Sequence, residues 1–294
     1  MAHETEEVKG ILRLGGLSLP ELATRVTKSV YQDNAIGQAA QLAYYFLFAL
    51  FPFLLFLTTL LGFLPLAMGE IMDFLANVMP DEVISLIREN VHDLVVRQRG
   101  ELLSFGILTA LWTSSSAIAA IMDNLNRAYG VHEGRPIWKV WGTALALVLG
   151  LSVLLMVSIA LLIFGPQLGG LIARHIGLGE AFEIGWNVVR WMVIIGFLIF
   201  AMATIYYFAP DVEQKWKWIT PGSVFAILTW ILVSLGFSYY VSHFNSYNKI
   251  YGSIGTFIVL LTWMYLMGFV ILVGGAINAE IERPLTSPFS NALR

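Results

Sequence analysis

The chain contains no cysteine in its 294 residues. That excludes disulfides, thiolate metal sites, iron–sulfur clusters and cysteine nucleophiles together. Charge is also scarce, with 17 Lys and Arg against 20 Asp and Glu. The balance is slightly acidic, so no basic stripe is available to neutralise phosphates, and no nucleic-acid partner is expected. The five histidines (His3, His92, His132, His175, His243) are scattered, with no pair at metal-ligand spacing. No glycine-rich loop ends in Lys-Ser/Thr, which argues against nucleotide hydrolysis. Ser114, Ser115 and Ser116 have no His or Lys nearby in sequence to act as a base. No catalytic residue, metal or cofactor is therefore assigned.

The charge that does exist is unevenly placed. Residues 34–69, 102–122, 140–173, 191–210, 218–248 and 250–279 contain no Asp, Glu, Lys or Arg. Each window is about 20 residues or longer, enough to span a hydrocarbon core. A mean hydropathy of +0.74 agrees. The fold class predicted is an all-α integral membrane protein, with six transmembrane helices near 40–64, 102–122, 140–164, 190–210, 219–241 and 254–279. On this division residues 1–38 form a cytoplasmic segment, 39–283 the transmembrane domain with an outer helical loop at 67–101, and 284–294 a short cytoplasmic tail. The acidic start, MAHETEEVKG, does not have the layout of a cleaved signal peptide. Placing both termini inside assigns 11 Lys and Arg to the inner face and 6 to the outer, the sense expected of a cytoplasmic membrane.

Aromatic pairs bracket the windows as interface anchors do: Tyr44–Tyr45, Trp138 with Trp141, Trp186 with Trp191, Tyr206–Tyr207, Trp216 with Trp218, and Tyr239–Tyr240. Before the first window, Ser18 and Pro20 mark a helix start. Leu19, Leu22, Ala23, Val26 and Val30 form a stripe that Arg25 and Lys28 avoid. This spacing predicts an amphipathic helix on the inner membrane surface. The segment 70–101 has apolar spacing of its own and carries seven acidic and three basic residues, which predicts a helical cap on the outer face.

No charge lies at hydrocarbon depth within the predicted spans, Arg190 standing at the outer edge of the fourth, so the polar groups at their ends are the candidates. Gln38 and Gln41 stand at the start of the first span, and Asp123, Asn126 and Arg127 at the end of the second. Asp211 follows the fourth, and Asn278 and Glu280 end the sixth. These converge on the inner interface, either as a packing ring or as a polar vestibule. On the outer side, 242–255 is expected to be a hairpin loop rich in hydrogen-bonding groups: His243, Asn245, Tyr247, Asn248, Lys249, Tyr251 and Gly252. Pro52, midway along the first span, removes a backbone bond and is the candidate hinge. Gly142, Ala146 and Gly150 make a small-residue seam expected to pack within the chain.

Several of these stretches occur in order: LAYYFLFALFP, WTSSSAIAAIMDNLNRAYG, YYFAPD, and the run from Pro221-Gly222 through YNKIYGSIG to LLTWMYLMGFVILVGGAINAEIE. Over about residues 20–283 the chain resembles the YihY/BrkB family of bacterial inner-membrane proteins, formerly mislabelled ribonuclease BN. The resemblance implies a six-helix envelope protein linked to envelope integrity and to transport of lipids or other amphipathic components. A ribonuclease activity has no support in the residues. Two readings follow: a transporter or flippase-like protein whose partners are membrane lipids and an amphipathic or lipid substrate, or a scaffold that binds envelope partners through its outer loop. Oligomeric state is not legible.

Overall fold

A computed structural model describes residues 16–62, 84–85, 100–176, 180–243 and 246–283. Among these, every long element is a helix. The first, α1 (Leu19–Gln32), opens on Ser18, whose backbone N–H and hydroxyl both donate to the Glu21 carboxylate at 2.9 and 2.8 Å. Those bonds hold the exposed Glu21 carboxyl below its ordinary pKa. Asn34 then takes a left-handed φ of 52°, which Asn tolerates better than most side chains, and turns the chain into α2 (Ala35–Gly62).

Five more helices follow: α3 (Gly100–Ala128), α4 (Ile137–Ile176), α5 (Glu180–Phe208), α6 (Pro221–His243) and α7 (Ser246–Glu282). Each of α3 to α7 packs on its neighbours in sequence, and α2 closes the ring by packing on both α3 and α7. Small and medium side chains fill the middle, among them Ala39, Leu42, Met122, Leu125, Ala144, Ala226 and Leu272. The outside is apolar as well. Leu145, Leu149, Val153 and Val157 form an exposed i,i+4 stripe on α4, and Leu228, Leu232, Leu235 and Tyr239 form one on α6. An apolar surface on that scale marks a membrane environment.

Four helical stretches are long and apolar enough to cross a bilayer: Ile137–Leu162, Ile184–Phe208, Pro221–Ser242 and Gly255–Glu282. Ala35–Leu50 is a shorter apolar helix among the described residues. The stretch in α5 begins six residues before the predicted span and places Arg190 six residues inside it, where the prediction had this residue at the outer edge. The reason is physical: one charge does not end a hydrophobic helix when its long side chain can reach the interface.

Other expectations change too. Leu22 and Val26 of α1 do not face outward but pack beneath Ala276, beside Val273, Ile277 and Ile281 of α7. Leu19 and Ala23 of the same predicted stripe are exposed. The outer hairpin loop shrinks, because α6 runs to His243 and α7 starts at Ser246; residues 246–255 are helical backbone. Among the described residues nothing packs on the seam of α4: a Cβ at Gly142 or Gly150 would meet nothing within 4 Å, and Ala146 is exposed. Pro52 lies inside a helix assigned without a break, so hinging stays a proposal. Residues 67–83 and 86–99 of the outer cap, and the segments 1–15 and 284–294, lie outside the described residues.

Candidate functional site at the basal end of the bundle

The start of α2 and the end of α7 mark one end of the bundle, here called basal. The end of α3 sits there and is built in detail. Gly130 adopts φ 70° and donates its N–H to the Arg127 carbonyl at 2.8 Å, while the Val131 N–H reaches the Asn126 carbonyl at 2.9 Å. This is a Schellman stop, and glycine supplies the left-handed residue it requires. The chain then reverses and presents Glu133, Gly134 and Arg135 to the end of α5.

Asn126 is buried and forms the hub. Its Oδ1 accepts from the Asp211 N–H at 2.6 Å and its Nδ2 donates to Glu133 Oε2 at 2.8 Å. The Asp211 carboxylate accepts from the Gly134 N–H at 3.0 Å. Arg135 donates twice to Glu133, at 2.7 Å each, and twice to the end of α5, at the Phe208 and Ala209 carbonyls (3.3 and 2.8 Å). It also lies 3.7 Å from Asp211. A guanidinium on the last carbonyls of a helix offsets the negative end of its dipole. The hydrogen bond from Arg135 holds the Glu133 carboxyl below its ordinary pKa, and the same contact raises that of Arg135.

A second arginine does the same for α3. Arg283 donates to the Ala128 carbonyl at 2.8 Å and to Glu280 at 2.6 Å. The Glu280 side chain is only 5% exposed, so this is a nearly buried ion pair. Beside it the Tyr129 hydroxyl is buried with no partner in hydrogen-bond geometry. Burial first, and the Glu282 carboxylate second, push its pKa well above the ordinary 10.

The third knot joins α6 to α7. Asn278 accepts from the Gly222 N–H at 2.8 Å and donates to Thr220 Oγ1 at 3.0 Å. Thr220 and Ser223 cap α6 reciprocally. The helices cross here at touching distance: a Cβ on Gly222 would collide with the Gly274 carbonyl, and one on Gly274 with the Tyr206 hydroxyl. Tyr206 is buried and donates to the Ile271 carbonyl at 2.8 Å, so it is a core bridge rather than an interface anchor.

Of the predicted inner cluster, the structure therefore brings Asn126 and Asp211 into direct contact, and places Asn278 and Glu280 in neighbouring knots. Asp123 and Arg127 pair at 3.0 Å on an exposed surface, apart from the rest. Gln38 is buried and its Nε2 has no partner, while Gln41 is exposed. Of the outer group, Asn245 lies outside the described residues, as do the side chains of His243, Tyr247, Asn248, Lys249 and Tyr251; Gly252 is on the α7 backbone. Glu133 and Arg135 were missed as site residues. Their signal was a Glu-Gly-Arg run directly after a helix stop. Among the described residues no group of three or more His, Asp or Glu could hold a metal.

A family model described as "Virulence factor BrkB" matches residues 26–292. A Bacillus subtilis (strain 168) protein named as ribonuclease-like, YfkH, is 37% identical over 273 residues, covering 93% of this chain and 98% of its own. A UPF0761 membrane protein of Tolumonas auensis is 26% identical, over 86% of this chain and 83% of its own. One from Rhodospirillum centenum is 25% identical over 94% of this chain and 62% of its own. No solved structure matches. The family is described as a virulence factor and as membrane proteins; the ribonuclease-like wording belongs to the name of the Bacillus relative.

Proposed function

This chain belongs to the virulence factor BrkB family, and on that premise we propose that it moves a lipid or similar amphipathic envelope component across the bacterial inner membrane. In this reading all six long helices cross the bilayer, and both termini lie in the cytoplasm. The distribution of Lys and Arg, 11 against 6, supports that orientation. The exposed Leu19 and Tyr31 of α1 would then rest in the inner interface.

One observation carries the transport reading. Ser115 and Asn124 on α3 and Gln38 on α2 are each more than nine-tenths buried, and each has a polar atom with no hydrogen-bond partner among the described residues. Trp230 on α6 adds a buried indole N–H in the same condition. An unpaired buried polar group costs about 1–3 kcal/mol. A dry scaffold has no reason to carry several; a bundle that opens to a headgroup or to water does. The experiment uses the absence of native cysteine. Single cysteines at Gln38, Ser115 and Asn124, in sealed membranes, should react with a polar thiol reagent. Vesicles containing the protein should also move a labelled phospholipid faster than empty ones. No labelling at all three positions and no transport would falsify the proposal.

The scaffold reading has its own support in the knotted basal end, which ties four helices together at fixed distances. It requires a stable partner to be recovered through the 70–101 loop and no labelling of the interior.

A further inference from the structure

Arg190 lies within the apolar stretch Ile184–Phe208 of α5. Six residues from the start of that stretch is about 9 Å along a helix axis. A 25-residue stretch is about 37 Å long, against about 30 Å of hydrocarbon. The Arg190 backbone is thus about 5 Å below the distal edge of the hydrocarbon, within reach of the interface for an extended arginine.

The side chain occupies a prepared place. A Cβ on Gly165 of α4 would collide with the Arg190 side chain, and a Cβ on Gly169 would collide with Trp186. Two glycines four residues apart therefore receive two large side chains four residues apart. Trp186 locks the register by donating its indole N–H to the Gly165 carbonyl at 2.6 Å. Arg190 donates from Nη2 to Asn187 Oδ1 at 2.6 Å. Among the described residues its buried Nε has no partner and no carboxylate pairs with it. Arginines at this depth elsewhere in proteins are paired or functional. The basal arginines, Arg135 and Arg283, each have a glutamate within 2.7 Å.

We propose that Arg190 is a binding site for the phosphate of an anionic phospholipid in the distal leaflet. The guanidinium is planar, always charged and suited to a two-pronged grip on phosphate. From its backbone depth an extended arginine reaches the level of lipid phosphates, and Asn187 occupies one of its donors while orienting it. The inference rests on the reading of α5 as a membrane span, and it names the class of lipid that the proposed transporter would take at its distal side.

The test is thermal unfolding of the full-length protein in a neutral detergent, with added phosphatidylglycerol, phosphatidylcholine or glycerol phosphate. Phosphatidylglycerol should raise Tm above the value in phosphatidylcholine. R190Q should weaken the apparent affinity for phosphatidylglycerol about tenfold or more, the loss expected for a charge-assisted pair. K139Q, at the exposed basal Lys139, should keep it. If R190Q does not fold, G165A carries the same test, because it keeps the charge but closes the notch. An undiminished phosphatidylglycerol effect in R190Q, or in G165A where that is the variant used, overturns the proposal. So does an equal effect from phosphatidylcholine, and an equal effect from glycerol phosphate would make the site one for water-borne oxyanions. Loss of lipid transport in reconstituted vesicles with the phosphatidylglycerol effect intact would sink the transport reading and leave this one standing.

Discussion

Truncating Asn126 to Ala is the sharpest probe of the basal site, because one side chain there satisfies two separate loops. The substitution removes the 2.8 Å bond to the Glu133 carboxylate and the 2.6 Å bond from the Asp211 N–H. A hydrogen bond to a charged group contributes about 1.5–3 kcal/mol and a neutral one about 0.5–1.5 kcal/mol. The side chain is only 2% exposed, so water does not readily replace either partner. Arg135 still holds Glu133, which limits the loss. The expected cost is about 2–4 kcal/mol, a fall in Tm of about 5–12 °C if soluble domains of similar size are a guide. Asn126→Asp should be worse than Ala, since it keeps the acceptor for Asp211 but sets a carboxylate against Glu133. The assay is thermal unfolding in detergent or nanodiscs, followed by intrinsic tryptophan fluorescence. A change below about 2 °C in N126A, or N126D more stable than N126A, would refute the hub assignment.

Three further outcomes follow from the same geometry. Arg283→Gln leaves Glu280 charged and nearly buried, so it should cost about 3–5 kcal/mol; the double change with Glu280→Gln should recover part of this, measured by unfolding of all three variants. Gly222→Ala drives a methyl into the Gly274 carbonyl and should destabilise by about 1–3 kcal/mol, whereas Gly142→Ala meets open space and should be neutral or slightly stabilising in thermal unfolding. Glu133 titrates below its ordinary 4.5 in the folded chain, so its contribution is present above that value and is lost as pH falls through the lowered one. Glu133→Gln should flatten the stability–pH curve below about pH 4.5 and leave its shape near neutrality unchanged.

What was legible in the sequence and what was not have separate physical causes. The charge-free windows located the long helices because burying charge in lipid is costly along a whole turn. The same rule cut the apolar stretch of α5 short at Arg190, since it treats a single arginine with a long apolar stem like any other charge. Asn126, Asp211, Asn278 and Glu280 could be picked out as polar residues at span ends, where only packing or function keeps them. Their partners could not, because backbone groups such as the Gly222 and Gly134 N–H have no sequence signature. Glu133 and Arg135 looked like ordinary loop charges; only the Schellman stop at Gly130 aims them at α5. The polar, glycine-bearing stretch 246–255 has the composition of a loop and the backbone of a helix. Gly142, Ala146 and Gly150 have the spacing of a packed seam, but among the described residues no neighbouring helix comes to meet them.

The bond from Arg283 to the Ala128 carbonyl joins residues 155 positions apart. During synthesis the end of α3 leaves the ribosome long before the residue that caps it. Until Arg283 is made, that helix end has an open carbonyl. A chain halted before residue 283 could hold all its spans in the bilayer and still lack the latch between its second long helix and its last. This latch of the basal end is thus the last of its three knots to close, waiting on residue 283.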